Sequence, residues 1–219
     1  MYHSVPLITK SYMTACLITT LVVQFELIAP WMLYLNWGSI YKDFQVWRLA
    51  TNFFFFGYFG LSYVFHMLFL VRHSMLLEDS SYRGKTGDFF FLYLFGASWL
   101  LGLDWLFWYT SLVKSPPIFL GPSLAMMVVY VWSRRNPNVR MSFLQLFTFT
   151  APYLPWVIFG IEFLIGQSWS FFDLIGILVG HLYYYLQDVY PEISGRRLLH
   201  TPQILKTFLD AHDATPAEH

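Results

Sequence analysis

The chain has 219 residues, of which 57% are hydrophobic and 12% charged, a charged share roughly half of the ~25% expected of a soluble domain. Thirteen basic and thirteen acidic residues cancel, which gives no basis for a polyanion-binding surface or a nucleic-acid partner. Cys16 is the single cysteine; it excludes an internal disulfide and any cysteine-based metal site, and no cofactor or metal is expected.

Phe, Trp and Tyr make up 21% of the chain, more aromatic area than a soluble core of this length hides, so lipid is the main solvent. In chain order, apolar stretches predict six spans near 12–30, 52–72, 88–108, 117–133, 143–165 and 170–187. No small-x-small cleavage site follows the first stretch, so it is expected to be retained. The second is the cleanest: Leu49 to Val71 contains no Asp, Glu, Lys or Arg. Between the first two, Pro30 to Thr51 carries Trp31, Tyr34, Trp37, Tyr41 and Trp47, aromatics that favour the headgroup level. Pro152 and Pro155 remove backbone donors from the fifth span and predict a kink. The sixth has only 14 uncharged residues, Leu174 to Gln187, covering roughly 21 Å of a ~30 Å hydrocarbon layer. Mismatch of this kind is relieved by thinning of the bilayer, snorkelling or shielding by neighbouring helices.

With a cytosolic N-terminus, one side holds Lys10, Arg72, Arg83, Lys85, Arg134, Arg135, Arg140, Arg196, Arg197 and Lys206, and the other only Lys42, Arg48 and Lys114. That bias places both termini in the cytosol. Glu26, Asp104, Glu162 and Asp173 all fall toward the opposite face, where a water-filled groove is one reading; Asn52, Ser62 and Gln167 are its expected lining. Within span six, Gly176 and Gly180 form a small-xxx-small pair for close helix packing, and the intramembrane His181 is either a functional residue or a structural one bonded to a neighbour. Beyond it, a cytosolic segment 191–209 is expected, with a helix starting at Thr201-Pro202 whose Ile204, Leu205, Phe208 and Leu209 share one side. Asp210 to His219 reads as a disordered tail, and residues 1–190 as the membrane domain.

Several segments together resemble the derlins, rhomboid-like pseudoproteases of the endoplasmic reticulum. Gln45-Val46-Trp47-Arg48-Leu49-Ala50-Thr51-Asn52-Phe53 resembles their first-loop Trp-Arg motif. Met75 to Glu78 with Tyr82-Arg83-Gly84-Lys85-Thr86, then Tyr130 to Pro137, Tyr153 to Val157, Gly176 to Tyr183 and Thr201 to Leu205 resemble later family segments in the same order, so the similarity covers roughly residues 5 to 209.

The resemblance implies an all-α membrane protein with a six-transmembrane-helix rhomboid-like fold in the endoplasmic reticulum membrane. Its implied role is endoplasmic-reticulum-associated degradation, in which a non-catalytic half-channel in thinned bilayer retrotranslocates misfolded proteins. A membrane ubiquitin ligase complex and a cytosolic AAA ATPase are the implied partners, alongside the lipid bilayer. Direct ATPase contact is in doubt for want of a recognisable tail motif, and assembly into homo- or hetero-oligomers is left open. By the same analogy Trp47 and Arg48 anchor the luminal loop and Gly176 and Gly180 set the packing of span six.

Two rivals stand against it. An active rhomboid-type serine protease would use Ser123, in Gly121-Pro122-Ser123-Leu124, with His181. Leu124 replaces the second glycine of the protease turn, however, and alignment on Tyr130-Val131-Trp132 places the protease serine near Gly121. A two-residue shift rotates a helical side chain by about 200°. A solute transporter or channel is the other rival; the sequence shows no internal repeat of the kind such proteins carry.

Overall fold

In the computed structural model, which describes residues 5–111, 119–143, 147–164 and 171–213, the apolar stretches fold mainly as helices. Helix α1 runs Leu7–Gln24, ending earlier than the expected 12–30 span because the chain turns at Glu26, which has φ 57°, and enters a 3₁₀ turn at Pro30–Met32. Proline cannot donate to a continuing helix. Asn36 then caps α2 (Trp37–Asp43) by accepting the Ser39 amide at 3.2 Å, and α3 is the single turn Arg48–Thr51.

Helix α4 is Leu61–Ser81. Its start corrects the expected boundary at 52. Gly57 sits at φ 102° and Gly60 is fully extended, so residues 52–60 make an irregular connection although they are apolar. Helix α5 spans Thr86–Thr110. Among the described helices, α1 and α5 are long and apolar enough to cross a membrane.

At the centre lies α6, Gly121–Arg135, with Pro122 in its first turn, where a missing amide costs nothing. Every residue from Ser123 to Ser133 is buried, as expected for a helix surrounded on all sides. Helices α4 and α5 pack on it, together with α7 (Leu154–Leu164) and α8 (Phe171–Tyr184).

The chain is mostly helical, as expected of an all-α protein, and departs from helix locally at the fifth stretch. Strands β1 (Arg140–Phe143) and β2 (Phe147–Thr150) form an antiparallel pair with Met141 opposite Phe149. Phe and β-branched Thr alternate through β2, a pattern suited to a strand. Pro152 lies in the 3₁₀ turn Ala151–Tyr153 and Pro155 in the first turn of α7, so the prolines start the helix where a kink within it was expected. The described part of α7, 11 residues, covers about 17 Å. By contrast α8 is not short: it continues through a π-helical turn, Tyr185–Val189, into α9 (Tyr190–Ser194), which ends at Gly195 with φ 68°. Only its uncharged stretch is brief.

Helix α10 (Gln203–Asp213) corrects the tail expected from residue 210. Asp210 Oδ1 accepts the Gly87 amide at 2.8 Å and Lys206 pairs with Asp88 at 3.2 Å, so α10 docks across the start of α5. Contact is so close that a Cβ on Gly87 would lie 3.0 Å from the Leu205 carbonyl oxygen. The four apolar residues of α10 divide as a result: Leu205 and Leu209 are partly buried, while Ile204 and Phe208 are more than 80% exposed.

Candidate functional site

The aromatic loop is held from within by Arg48. Its Nη1 donates to the carbonyls of Trp31 (2.7 Å) and Tyr34 (2.9 Å), and Nε donates to Gln45 Oε1 at 2.7 Å. The guanidinium also lies over the Tyr34 ring, 5.2 Å from its centroid. A charge 7% exposed is tolerable only with such partners, and the planar fork of arginine reaches two carbonyls and an amide at once. Of the two roles open to Arg48 by chemistry, phosphate or carbonyl binding, it takes the second. Trp47 begins the same turn but points outward, half exposed.

Two more residues stitch the turn. Thr51 Oγ1 donates toward the carbonyls of Leu33 (3.2 Å) and Trp47 (3.1 Å), and Asn52 Nδ2 to those of Arg48 (2.6 Å) and Leu49 (2.9 Å). Asn52 is fully buried, which removes it from any open groove: its amide satisfies the carbonyls that end α3. Ser62 lies in the first turn of α4, its side chain outside the described residues, and Gln167 lies outside them altogether.

A second clasp joins the loop to α5. Trp37 Nε1 donates to Asp104 Oδ2 at 2.7 Å, Trp105 Nε1 donates to the Tyr41 hydroxyl at 3.0 Å, and the Tyr41 and Trp108 rings stack at 5.9 Å. Asp104 is 4% exposed, so this carboxylate serves as a buried acceptor and does not face open water.

Gly176 and Gly180 bring α8 onto α6. A Cβ on Gly176 would overlap the backbone of Ser123, and one on Gly180 would meet Tyr130 Cβ at 3.0 Å and the Met127 carbonyl oxygen at 3.1 Å. The same helix pair separates Ser123 from His181. Ser123, buried, donates to Asp173 Oδ1 at 3.3 Å; His181 Nδ1 pairs with the Tyr130 hydroxyl at 2.7 Å on an exposed side of α8. Ser123 and Tyr130 are seven residues apart on α6, about 10 Å along the axis, so the hydroxyl and the imidazole sit at different levels and share no hydrogen bond.

Residues 5–203 match the Der1-like family. The chain belongs to the Der1-like family, the derlins. It is 50% identical over 212 residues to the probable derlin-2 homolog of Dictyostelium discoideum, covering 97% of this chain and 83% of that one. It is 48% identical over 208 residues to derlin-2 of Oryza sativa subsp. japonica (94% and 83% covered), and 36% identical over 202 residues to derlin-1.1 of Zea mays (92% and 80%).

In this derlin the end of the molecule opposite the aromatic loop carries a network absent from the sequence-based candidates. Arg135 forms a two-bond pair with Asp188, Nε to Oδ2 at 2.9 Å and Nη2 to Oδ1 at 3.0 Å. It also lies over the Tyr82 ring at 4.8 Å, and the Tyr82 hydroxyl meets that of Tyr183 at 2.9 Å. Burial pushes the Tyr82 phenol above its usual range, and the Arg135 charge only partly offsets this, so Tyr82 stays neutral and able to donate. The sequence does contain one signal for this network: Arg135 lies just past a stretch that has no Asp, Glu, Lys or Arg from Ser115 to Ser133, and a charge beside such a stretch requires a partner. Trp37 and Asp104 were likewise unpaired in the sequence, because 67 residues separate them.

Proposed function

We propose that this derlin acts without catalysis in endoplasmic-reticulum-associated degradation, as a multi-pass protein of the endoplasmic reticulum membrane that offers misfolded polypeptides a half-channel through a thinned bilayer. The observation that carries the reading is the brief uncharged stretch of α8 and its π-helical continuation, Leu174 to Gln187: 14 residues, about 21 Å of helix, beside a hydrocarbon layer of ~30 Å. Local thinning relieves that mismatch and lowers the barrier to moving polar backbone across. Family membership supports the pathway. The basic end, with Arg134 and Arg135, faces the cytosol in this reading, toward the ubiquitin ligase complex and the AAA ATPase. Ser62 and Gln167 are the positions proposed to line the groove.

Non-catalytic action is supported by the separate engagements of Ser123 with Asp173 and His181 with Tyr130, since a serine nucleophile needs its base within hydrogen-bond reach. The test is turnover of a misfolded reporter in cells lacking the protein, complemented by wild type, Trp47→Ala/Arg48→Ala, or His181→Ala. Loss of turnover in the loop variant with function retained by His181→Ala is the expected result. Covalent labelling of the purified chain by a fluorophosphonate, abolished by Ser123→Ala, would overturn the reading.

A further inference from the structure

A cavity of about 490 Å³ lies between α1, α3 and α5, and it is partly open. Small side chains create the space: Ala15 from α1, Ala50 from α3 and Ala97 from α5 all line it. We propose that it holds one acyl chain of a bilayer lipid.

The chemistry of the wall selects hydrocarbon. Ser11, Tyr12, Tyr93 and Ser98 are the polar side chains among the lining residues, and each is already engaged. Ser11 and Ser98 donate to the carbonyls of Leu7 (2.8 Å) and Leu94 (2.7 Å) on their own helices. Tyr12 donates to the Phe53 carbonyl at 2.7 Å, and the Tyr93 hydroxyl pairs with Ser74 at 2.7 Å. Each of these hydroxyls already has its partner, so the wall offers a polar ligand no uncommitted side-chain group among its residues beyond spare hydroxyl lone pairs, and burying an unbonded polar group there costs free energy. Apolar contact is what the site offers.

The place of the cavity identifies the source. The cavity lies between α1 and α5, both long and apolar enough to cross a membrane, and Leu94, which lines it, is 41% exposed. Lipid is therefore what surrounds the opening.

Size then separates a lipid from a polypeptide. Along α5 the lining runs from Phe90 to Leu101, roughly 16 Å of helix. A volume of about 490 Å³ spread over that length is roughly 6 Å across, whereas a polypeptide helix is at least ~10 Å in diameter and displaces over ~1,200 Å³ in the same length. One extended hydrocarbon chain fits; a transmembrane helix does not. Bound there, the chain rests against Ala50 and Phe53, directly beneath the turn that Arg48 braces. This inference goes beyond the proposed role in degradation and is independent of it.

The experiment uses the full chain in phosphatidylcholine nanodiscs doped with phosphatidylcholine carrying a diazirine in mid-acyl chain, irradiated and mapped by mass spectrometry. Adducts at Tyr12, Phe53 and Ala97 are expected to exceed those at Leu17 and Ile18, exposed residues of α1, by about tenfold, the factor given by ~1.4 kcal/mol of preferential occupancy. Ala97→Phe, which plugs the space, is expected to remove the cavity adducts and leave those at Leu17; Ala15→Leu serves the same purpose should the larger side chain prevent folding. Equal labelling of cavity and outer face, or cavity adducts that survive a folded plugging variant, would overturn the proposal. So would cavity labelling by a transmembrane peptide carrying photo-leucine where the lipid probe gives none.

Discussion

The carboxylate of Glu78, buried near the end of α4, caps the first turn of α1. Oε1 accepts the Ile8 amide at 3.1 Å, while Oε2 accepts the Thr9 amide at 3.0 Å and the Thr9 hydroxyl at 2.7 Å. Residue 6, the N-cap of α1, is a proline with no side-chain acceptor, so the orphan amides of that turn are satisfied across 69 residues of sequence. Glu78→Ala is expected to destabilise the protein by about 2–3 kcal/mol, and Glu78→Gln, which keeps one acceptor oxygen, by about half as much. Thermal unfolding in detergent measures the loss, and faster hydrogen exchange confined to the start of α1 shows where it arises.

Asp210 does the same for α5. Lys85, the N-cap, supplies no side-chain bond, and the Gly87 amide donates to Asp210 instead. Asp210→Ala is expected to release α10, costing about 1–2 kcal/mol locally and exposing the segment after Gly195 to limited proteolysis. Lys206→Ala removes only a half-exposed ion pair and is expected to cost about 0.5 kcal/mol or less. Equal protease sensitivity of the two variants would contradict this ranking.

The two glycines of α8 are expected to differ. A methyl at Gly176 overlaps the backbone of Ser123, whereas at Gly180 the nearest atoms, Tyr130 Cβ at 3.0 Å and the Met127 carbonyl oxygen at 3.1 Å, need give way only slightly. Gly176→Ala is expected to cost about 3 kcal/mol and Gly180→Ala about 1 kcal/mol. Parallel melting curves of the single variants decide it.

Arg48→Lys keeps the charge but reaches fewer acceptors than the Trp31 and Tyr34 carbonyls and Gln45 together provide. A loss of about 2 kcal/mol is expected, with exchange of the amides in residues 31–36 accelerated while α6 stays protected. Lysine matching wild type in that segment would mean that charge alone holds the loop.

Much of the membrane character was legible from composition, since burial in lipid demands apolar stretches whatever they pack against. Gly176 and Gly180 were legible as a packing motif because helical spacing alone puts them on one face. The β1–β2 hairpin was not: apolar strands and apolar helix segments look alike by hydropathy, and only the alternation in Phe147 to Thr150 distinguishes them. Asn52 was misread for a related reason. A polar residue at a span boundary looks wet in sequence, yet its amide is enclosed by the turn it closes.

By itself the sequence determined the solvent, the family and the residues that matter locally, Arg48 and the two glycines among them. Tertiary structure alone decided what those residues touch. It sent Glu78 to α1, Asp210 to α5, Trp37 to Asp104 and Arg135 to Asp188, joining positions 53 to 123 residues apart. The physical reason is common to all four: a buried carboxylate or helix end must find a partner, but which one it meets is set by how the helices pack around α6.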